Sequence, residues 1–560
     1  MEQNKLQEQD NLTAKQKDYA VFLPAISGFY ATFVGKQRNG NYVDPARMPK
    51  QIPDMEMMNW LNDQKALFPY KWSLYSGGHA NLDLTKQDWS EDMVRNRDPN
   101  TLLLGDSGGF QIAKGLWEGE WRDPNSAEVQ AKIAELTALG VTETVNEKGK
   151  KVIINPLADY QKLLANAQKK REQVLLWLDG IANYGMTLDI PTWVVHDAFA
   201  SSKCGITTHS EAVAATKYNN EYFMANRKGA KNGGTKFLNV LQGANHAEAD
   251  DWYNTMKVYC DPNVYPDTHF DGWGMGGQNM CDVHLVLKRL VNIIHDGLLQ
   301  QGKHDWMHFL GTSRLEWALV LTDIQRAVRK YHNPDFTISF DCASPFLATA
   351  NGQIYYQVDC SHNEKWVYRM DPSVDDKKYA TDTRNFRDAV LQDGIFDVFD
   401  QSPITARCEI KDICIYKPGD LNKIGKEGKT SWDSFSYALQ MGHNVWIHIQ
   451  AVQEANRQYD AGNSPTMLRD PFGYFTLKDL VDQVFAQNDR QKSLDLIDHY
   501  HDFWMNIKGT RGFTGKKQVN SHSNFNALFE FDEPEVDEEI DDVVQLDIEA
   551  LDKLEIEQEK

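Results

Sequence analysis

Leu102-Leu-Leu-Gly-Asp106-Ser-Gly-Gly-Phe-Gln111 decides how the rest of the chain is read. An apolar run closed by glycine reads as a buried strand. The carboxylate that follows would sit at the strand's carboxyl end, where parallel α/β folds place their chemistry. The glycine pair allows a sharp turn and a close approach of backbone to something flat. Standing alone, the same letters describe a Gly-rich turn with Asp106 capping the next helix. What favours the first reading is recurrence.

Seven other apolar runs follow the same plan, the first ending at Pro24 and the other six at glycine or a polar residue. They are Tyr19–Pro24, Trp72–Tyr75 before Ser76-Gly-Gly-His79, Tyr184–Leu188 before Asp189, and Lys236–Leu241 before Gln242-Gly243. Thr268–Met275 precedes Gly276-Gly277, Trp306–Leu310 precedes Gly311, and Phe336–Phe340 precedes Asp341-Cys342. Segments of helical period separate most of them, such as Pro156–Asp179, His284–Gln300 and Arg314–Tyr331. Eight strand-then-helix units predict an α/β fold, a (β/α)8 TIM barrel with insertions such as Ala113–Asn155. Asp106, Asp189, Gln242, Gly276-Gly277 and Asp341 would then share one rim.

Past Asp341 the pattern loosens. Asn351–Gln357 reads as a hairpin, Gly442-His443 as the opening of an amphipathic helix running to Asp460, and Leu477–Ile507 as a helical extension. The expected organisation is a barrel over 15–350, a degenerate zinc-type subdomain with a barrel-closing helix over 351–462, a helical extension over 463–525 and an acidic tail over 526–560. Lys508–Lys517 is a basic loop but no P-loop, since Thr510 stands where GxxxxGK needs glycine.

Of the formal charge of −21, the segment 530–560 carries −13, with 15 acidic residues against two lysines, which leaves −8 for the other 529 residues. Whole-chain charge therefore neither supports nor excludes a nucleic-acid partner. Seven scattered cysteines fit a reducing compartment better than a disulfide framework. No apolar run reaches the roughly 18 residues of a membrane span, and Met1–Lys17 carries no signal-peptide pattern, so a cytoplasmic location is expected.

Asp106 and Asp341 at one barrel mouth could divide glycosyl transfer between them, one attacking the anomeric carbon and the other serving as acid and then base. At this point a resemblance enters. Asp106-Ser-Gly-Gly-Phe-Gln111 resembles the signature of the tRNA-guanine transglycosylases, and later segments resemble that family in order. These are Met186–Asp189, Val240–Gly243, Gly274–Gly277 with Asp282 where the family has glutamate, His308–Gly311, and Phe340–Cys342. The similarity spans roughly residues 15–460.

The resemblance implies Asp341 as nucleophile on C1′ and Asp106 as general acid and base. It implies Asp189 and Gln242 on the guanine edge, with Gly276 and Gly277 offering backbone groups. Phe110 and Leu310 would sandwich the ring, with Ser107 and Gln111 completing the base site. No redox or nucleotide cofactor is implied. Two features depart from the family. Its proline-threonine-arginine, whose arginine touches tRNA, is here Pro345-Phe346-Leu347. Its zinc cluster is reduced to Cys408, Cys414 and His443, one ligand short of a closed site. Asp412 or Cys360 would complete it, and buried free thiols are the alternative. Both departures fall on parts tied to tRNA.

The pattern is similar to the DNA-modifying branch found in phages and bacterial modification islands, where restriction evasion is the setting and a host cytoplasm the place of action. DNA and a free 7-deazaguanine of the preQ0 type are then the expected partners, and an oligomer is compatible with this. The alternatives are exchange on tRNA, a catalytically silent nucleic-acid-binding subunit, and a plain N-glycosylase. Candidate phosphate contacts are Arg326–Lys330, Lys169–Arg171 and the 508–517 loop.

Overall fold

The computed structural model describes residues 18–35, 45–85, 91–145, 149–228, 234–360, 366–386, 402–415 and 432–507. The basic loop at 508–517 and the acidic tail lie outside the described residues.

Eight strands run parallel: β1 (Val21–Pro24), β2 (Trp72–Ser76), β3 (Leu102–Asp106), then, after an inserted hairpin of β4 (Thr142–Val145) and β5 (Lys151–Ile154), β6 (Tyr184–Met186), β7 (Lys236–Leu241), β8 (Gly272–Met275), β9 (Trp306–Phe309) and β10 (Thr337–Cys342). Each pairs with its sequence neighbour in the order β1-β10-β9-β8-β7-β6-β3-β2. A parallel bridge between Ala25 and Leu74 brings the first and last of these together, so the sheet nearly closes. This is the (β/α)8 architecture that the eight apolar runs predict. The strands lack a polar alternation because both faces are covered, by the barrel interior and by the outer helices.

The helices follow local chemistry. Val283–His295 starts where the Asp282 carboxylate accepts the Leu285 amide at 3.0 Å, and one face carries Val286, Leu287, Leu290 and Ile293 into the core. Leu315–Tyr331 is buried nearly all round, packed between β10 and the helices Ser434–Asp460 and Leu477–Phe485. Each of its fully buried Leu and Val side chains contributes about 1.5–3 kcal/mol. The insertion after β3 forms the helix Ala127–Leu139 and the exposed β4–β5 hairpin, with Val129, Leu136 and Tyr160 as a small separate core.

Beyond the barrel, β11 (Gln353–Asp359) pairs antiparallel with β12 (Val367–Pro372). Asn351–Gln357 thus supplies the first arm of a hairpin rather than all of it. The closing helix is Ser434–Asp460, starting well before the expected Gly442. Asp433 caps it by accepting the Ser436 amide at 2.8 Å and is itself held by Arg47 at 2.7 Å. Gly442 lies inside the helix because a Cβ there would stand 2.5 Å from Ile404 and 3.0 Å from the Tyr30 hydroxyl. Close packing, not a helix start, requires the glycine. Three short helices, Leu477–Phe485, Arg490–His499 and His501–Asn506, form the C-terminal extension. No helix among the described residues is long and apolar enough to cross a membrane.

Candidate active site

The carboxyl ends of the strands open into a cleft of about 560 Å³ including its mouth. Asp106 is the last residue of β3, Asp341 the penultimate residue of β10, and both line this cleft. Asp189, Gln242, Phe110 and Leu310 line it too. Six of the ten residues expected to work on the base and sugar therefore share one cavity.

Asp106 is fixed from the neighbouring strand. Ser76, its register partner on β2, donates its hydroxyl to Oδ2 at 2.8 Å, and the Gly108 amide donates to the same oxygen at 3.2 Å. Gly108 has a φ of +82°, in the left-handed region, so the turn into the helix Gly109–Ala113 suits glycine. At Gly109 a Cβ would lie 2.6 Å from the Asp189 carbonyl and 2.9 Å from its Oδ1. The second glycine of the pair is thus what lets Asp189 sit against this helix. Asp189 in turn accepts the Gln242 amide on Oδ2 at 2.8 Å, a carboxylate and a carboxamide held side by side.

Asp341 is held differently. Its Oδ1 accepts the Gly311 amide at 3.0 Å and faces His308 Nε2 at 3.0 Å. On the far side of that ring, Nδ1 lies 2.8 Å from the Ser339 hydroxyl, which accepts the Trp306 indole N–H at 2.8 Å. An indole nitrogen can only donate. The ionised Asp341 carboxylate can only accept, so His308 Nε2 carries a proton and donates it to Oδ1. Oδ2 of Asp341 makes no hydrogen bond among the described residues. One oxygen is anchored, and the other is left for chemistry.

Ser76, Ser339 and Trp306 were not singled out from sequence, and His308 entered only within a resembling segment, with no role of its own. Each is a lone polar or aromatic residue inside or just after an apolar strand, which is unremarkable without its neighbours. The signal was a register: Ser339 and Asp341 stand two apart on β10, as Trp306 and His308 do on β9, so that each pair shares a face.

The other four expected residues stand behind the cleft lining. Ser107 is fully buried and donates to the Thr187 carbonyl at 3.1 Å. Gln111 packs its side chain on Gly78. Gly276 donates its amide to the Leu241 carbonyl at 2.8 Å, and a Cβ on it would meet the Gln242 amide at 2.6 Å. Gly277, with φ +57°, approaches the Gly243 backbone. The glycine pair makes room for Gln242; the Gly276 amide is engaged within the protein and is not available to a base.

Cys408, Cys414 and His443 do not assemble as a ligand set. The Cys408 thiol donates to the Ile404 carbonyl at 3.4 Å and Cys414 to Asp376 at 3.2 Å. His443 uses both nitrogens, Nδ1 with Thr405 at 3.1 Å and Nε2 with the Tyr355 carbonyl at 2.7 Å. Burial pushes the Cys408 thiol up, away from the thiolate that metals need, and drives His443 down to about 4. Among the described residues the one group of three closely spaced potential ligands is His246, Asp282 and His284.

The basic stretches are engaged elsewhere. Arg326 pairs with Asp18 and Asp460, Lys330 with Asp482, and Arg171 is buried on Asn219. The first two lie at the end of a helix that runs back from β9 toward the opposite end of the barrel. At the mouth itself, Lys114 stands 5.6 Å from the Phe110 ring centroid and 5.3 Å from that of Trp193. No protein-family model matches the chain, and no curated protein matches it.

Proposed function

We propose that the chain is a DNA-guanine transglycosylase, exchanging guanine for a 7-deazaguanine of the preQ0 type through a covalent aspartyl-sugar intermediate. The observation that carries this reading is the pair Asp106 and Asp341 on one cleft, beside the coupled Asp189 and Gln242.

In the first half-reaction Asp341 Oδ2 attacks C1′ as the C1′–N9 bond breaks, and Asp106, in its protonated form, gives its proton to the departing guanine. In the second, the Asp106 carboxylate takes the proton from N9 of the incoming base. That nitrogen attacks C1′ and the aspartyl ester bond breaks. Two inversions return the β configuration. His308 and the Gly311 amide hold Asp341 by one oxygen and aim the other, so little reorganisation accompanies attack. Asp189 accepts from N–H groups of a guanine-like edge, and the Gln242 amide donates to its carbonyl. Phe110 and Leu310 cover the ring faces.

A base in duplex DNA reaches such a cleft only when flipped out of the stack. Lys114, with Phe110 and Trp193, gives the mouth a cation over aromatic faces that suits a phosphate beside an extruded base. DNA is favoured over tRNA by Phe346 and Leu347, which are buried and offer no charge where the resembled family has arginine.

The test is incubation of the purified chain with labelled preQ0 and either duplex DNA or tRNA. Label is expected in DNA. Label only in tRNA would transfer the chemistry to that substrate, and label in neither would leave a binding subunit.

A further inference from the structure

We propose that His246, Asp282 and His284 bind one divalent transition-metal cation of the zinc class at the rim beside Gln242. This site is separate from the base-exchange machinery and stands or falls independently of it.

The three residues converge from two rim loops. His246 opens the helix His246–Met256, Asp282 caps the helix Val283–His295, and His284 lies in that helix's first turn. One ligand atom from each falls within 4.8 Å of the others. His246 Nε2 is 2.9 Å from Asp282 Oδ2, and the two imidazole rings are 5.4 Å apart.

The second observation concerns His284. It is 5% exposed, and its Nε2 lies 2.7 Å from Asp498 Oδ1 on the helix Arg490–His499. Lys288 also pairs with that carboxylate, at 2.9 Å, so Asp498 is an acceptor and Nε2 carries the ring proton. Nδ1 is then a lone-pair donor to whatever faces it, and it is buried without a hydrogen-bond partner among the described residues. Leaving such an atom unsatisfied costs its desolvation with no bond to offset it. A histidine whose outer nitrogen is held by a carboxylate and whose inner nitrogen is bare is the arrangement found around metals.

Two imidazole nitrogens and one carboxylate oxygen select a first-row transition cation over calcium or magnesium, which prefer oxygen ligands. Tetrahedral ligation at about 2.0–2.1 Å spaces donors about 3.3 Å apart, so a modest closure suffices. The His246 side chain is 44% exposed, which leaves the fourth position to water. The ligand loops also hold Gln242: Asn279 donates to its carbonyl at 3.3 Å, and the Gln278 amide donates to Gly243 at 2.8 Å. An ion here would clamp the loop that carries Gln242 and tie it, through Asp498, to the C-terminal extension.

The test is metal content. The full chain is stripped with a chelator, dialysed against Zn2+ and then against buffer, and analysed by mass spectrometry. Expected are about one zinc per chain in the parent and in Cys408→Ala, and loss of that zinc in His246→Ala and His284→Ala. His246 is exposed enough that His246→Ala keeps the fold, checked by circular dichroism. Asp498→Ala, which touches no ion, is expected to weaken zinc binding 10–100-fold. Equal zinc in the parent and His246→Ala, or no zinc in either, would overturn the proposal.

Discussion

The barrel mouth and the segment that follows the barrel both carry clusters of chemically capable side chains, yet they use them in opposite ways. At the mouth, Asp341 is anchored by one oxygen and keeps the other without a hydrogen-bond partner among the described residues, and it shares a cleft with Asp106, Asp189 and Gln242. In the later segment Cys408, Cys414 and His443 are buried, and every donor they have is given to a neighbouring carbonyl or hydroxyl. Residue type is the same kind of signal in both places. The difference is that the strand ends leave atoms facing a cavity, whereas the later segment uses polar atoms to knit irregular backbone together.

The sharpest way to break this comparison is Asp341→Asn. The amide oxygen can still accept from His308 and Gly311, so the fold should be untouched, with thermal unfolding close to the parent. Base exchange is expected to fall on the order of 10⁴-fold or more, and the denaturation-resistant protein–DNA adduct should vanish from denaturing gels. An adduct that persists would remove Asp341 as nucleophile. Asp106→Asn comes next, with an expected loss of about 10²–10⁴-fold from the missing acid and base. Here the adduct should return when the substrate carries 7-methylguanine, a base that leaves without being protonated. Absence of that rescue would argue that Asp106 acts in binding instead.

The barrel was legible because every strand but the first is a short apolar run ended by glycine or a polar residue, and that punctuation survives insertions. That Asp106, Asp341, Asp189 and Gln242 share one cleft was legible for the same reason, since each sits at the end of such a run. What was not legible is support. Ser76, His308 and Ser339 look like isolated polar residues until the sheet register places them beside Asp106 and Asp341. Gly442 misled because a glycine inside a helix has the same letter as one at its start. His246 is 36 residues from Asp282 in sequence, so only the fold joins them.

The other side of the comparison is sharpened by acid. His443 is neutral in the fold, driven to about 4 by burial that its bond to the Tyr355 carbonyl only partly offsets. Unfolded, it would titrate near 6.5. Between those values the unfolded chain binds the extra proton, so stability is fully present above pH 6.5 and falls as pH drops toward 4. The share from His443 is about 3 kcal/mol. Denaturant titrations at pH 7 and pH 4.5 should show this loss, and His443→Gln should flatten the slope by most of that amount. An unchanged slope would mean that His443 is not held neutral as its surroundings require.

The smallest effect expected is that of Cys408→Ala. The substitution removes one buried sulfur and its bond to Ile404, leaving a cavity about the size of a methyl group, worth about 1 kcal/mol. The residues proposed for base exchange line the cleft at the strand ends, and Cys408 is not among that lining, so activity should stay within about twofold of the parent. Zinc content should be unchanged as well, because the thiol's proton is committed to a carbonyl and its burial opposes the thiolate. A variant that lost an equivalent of zinc, or lost activity along with stability, would show the later segment doing chemistry of its own. The contrast drawn between the two regions would then fail at its weaker end, while the carboxylates at the mouth would be unaffected.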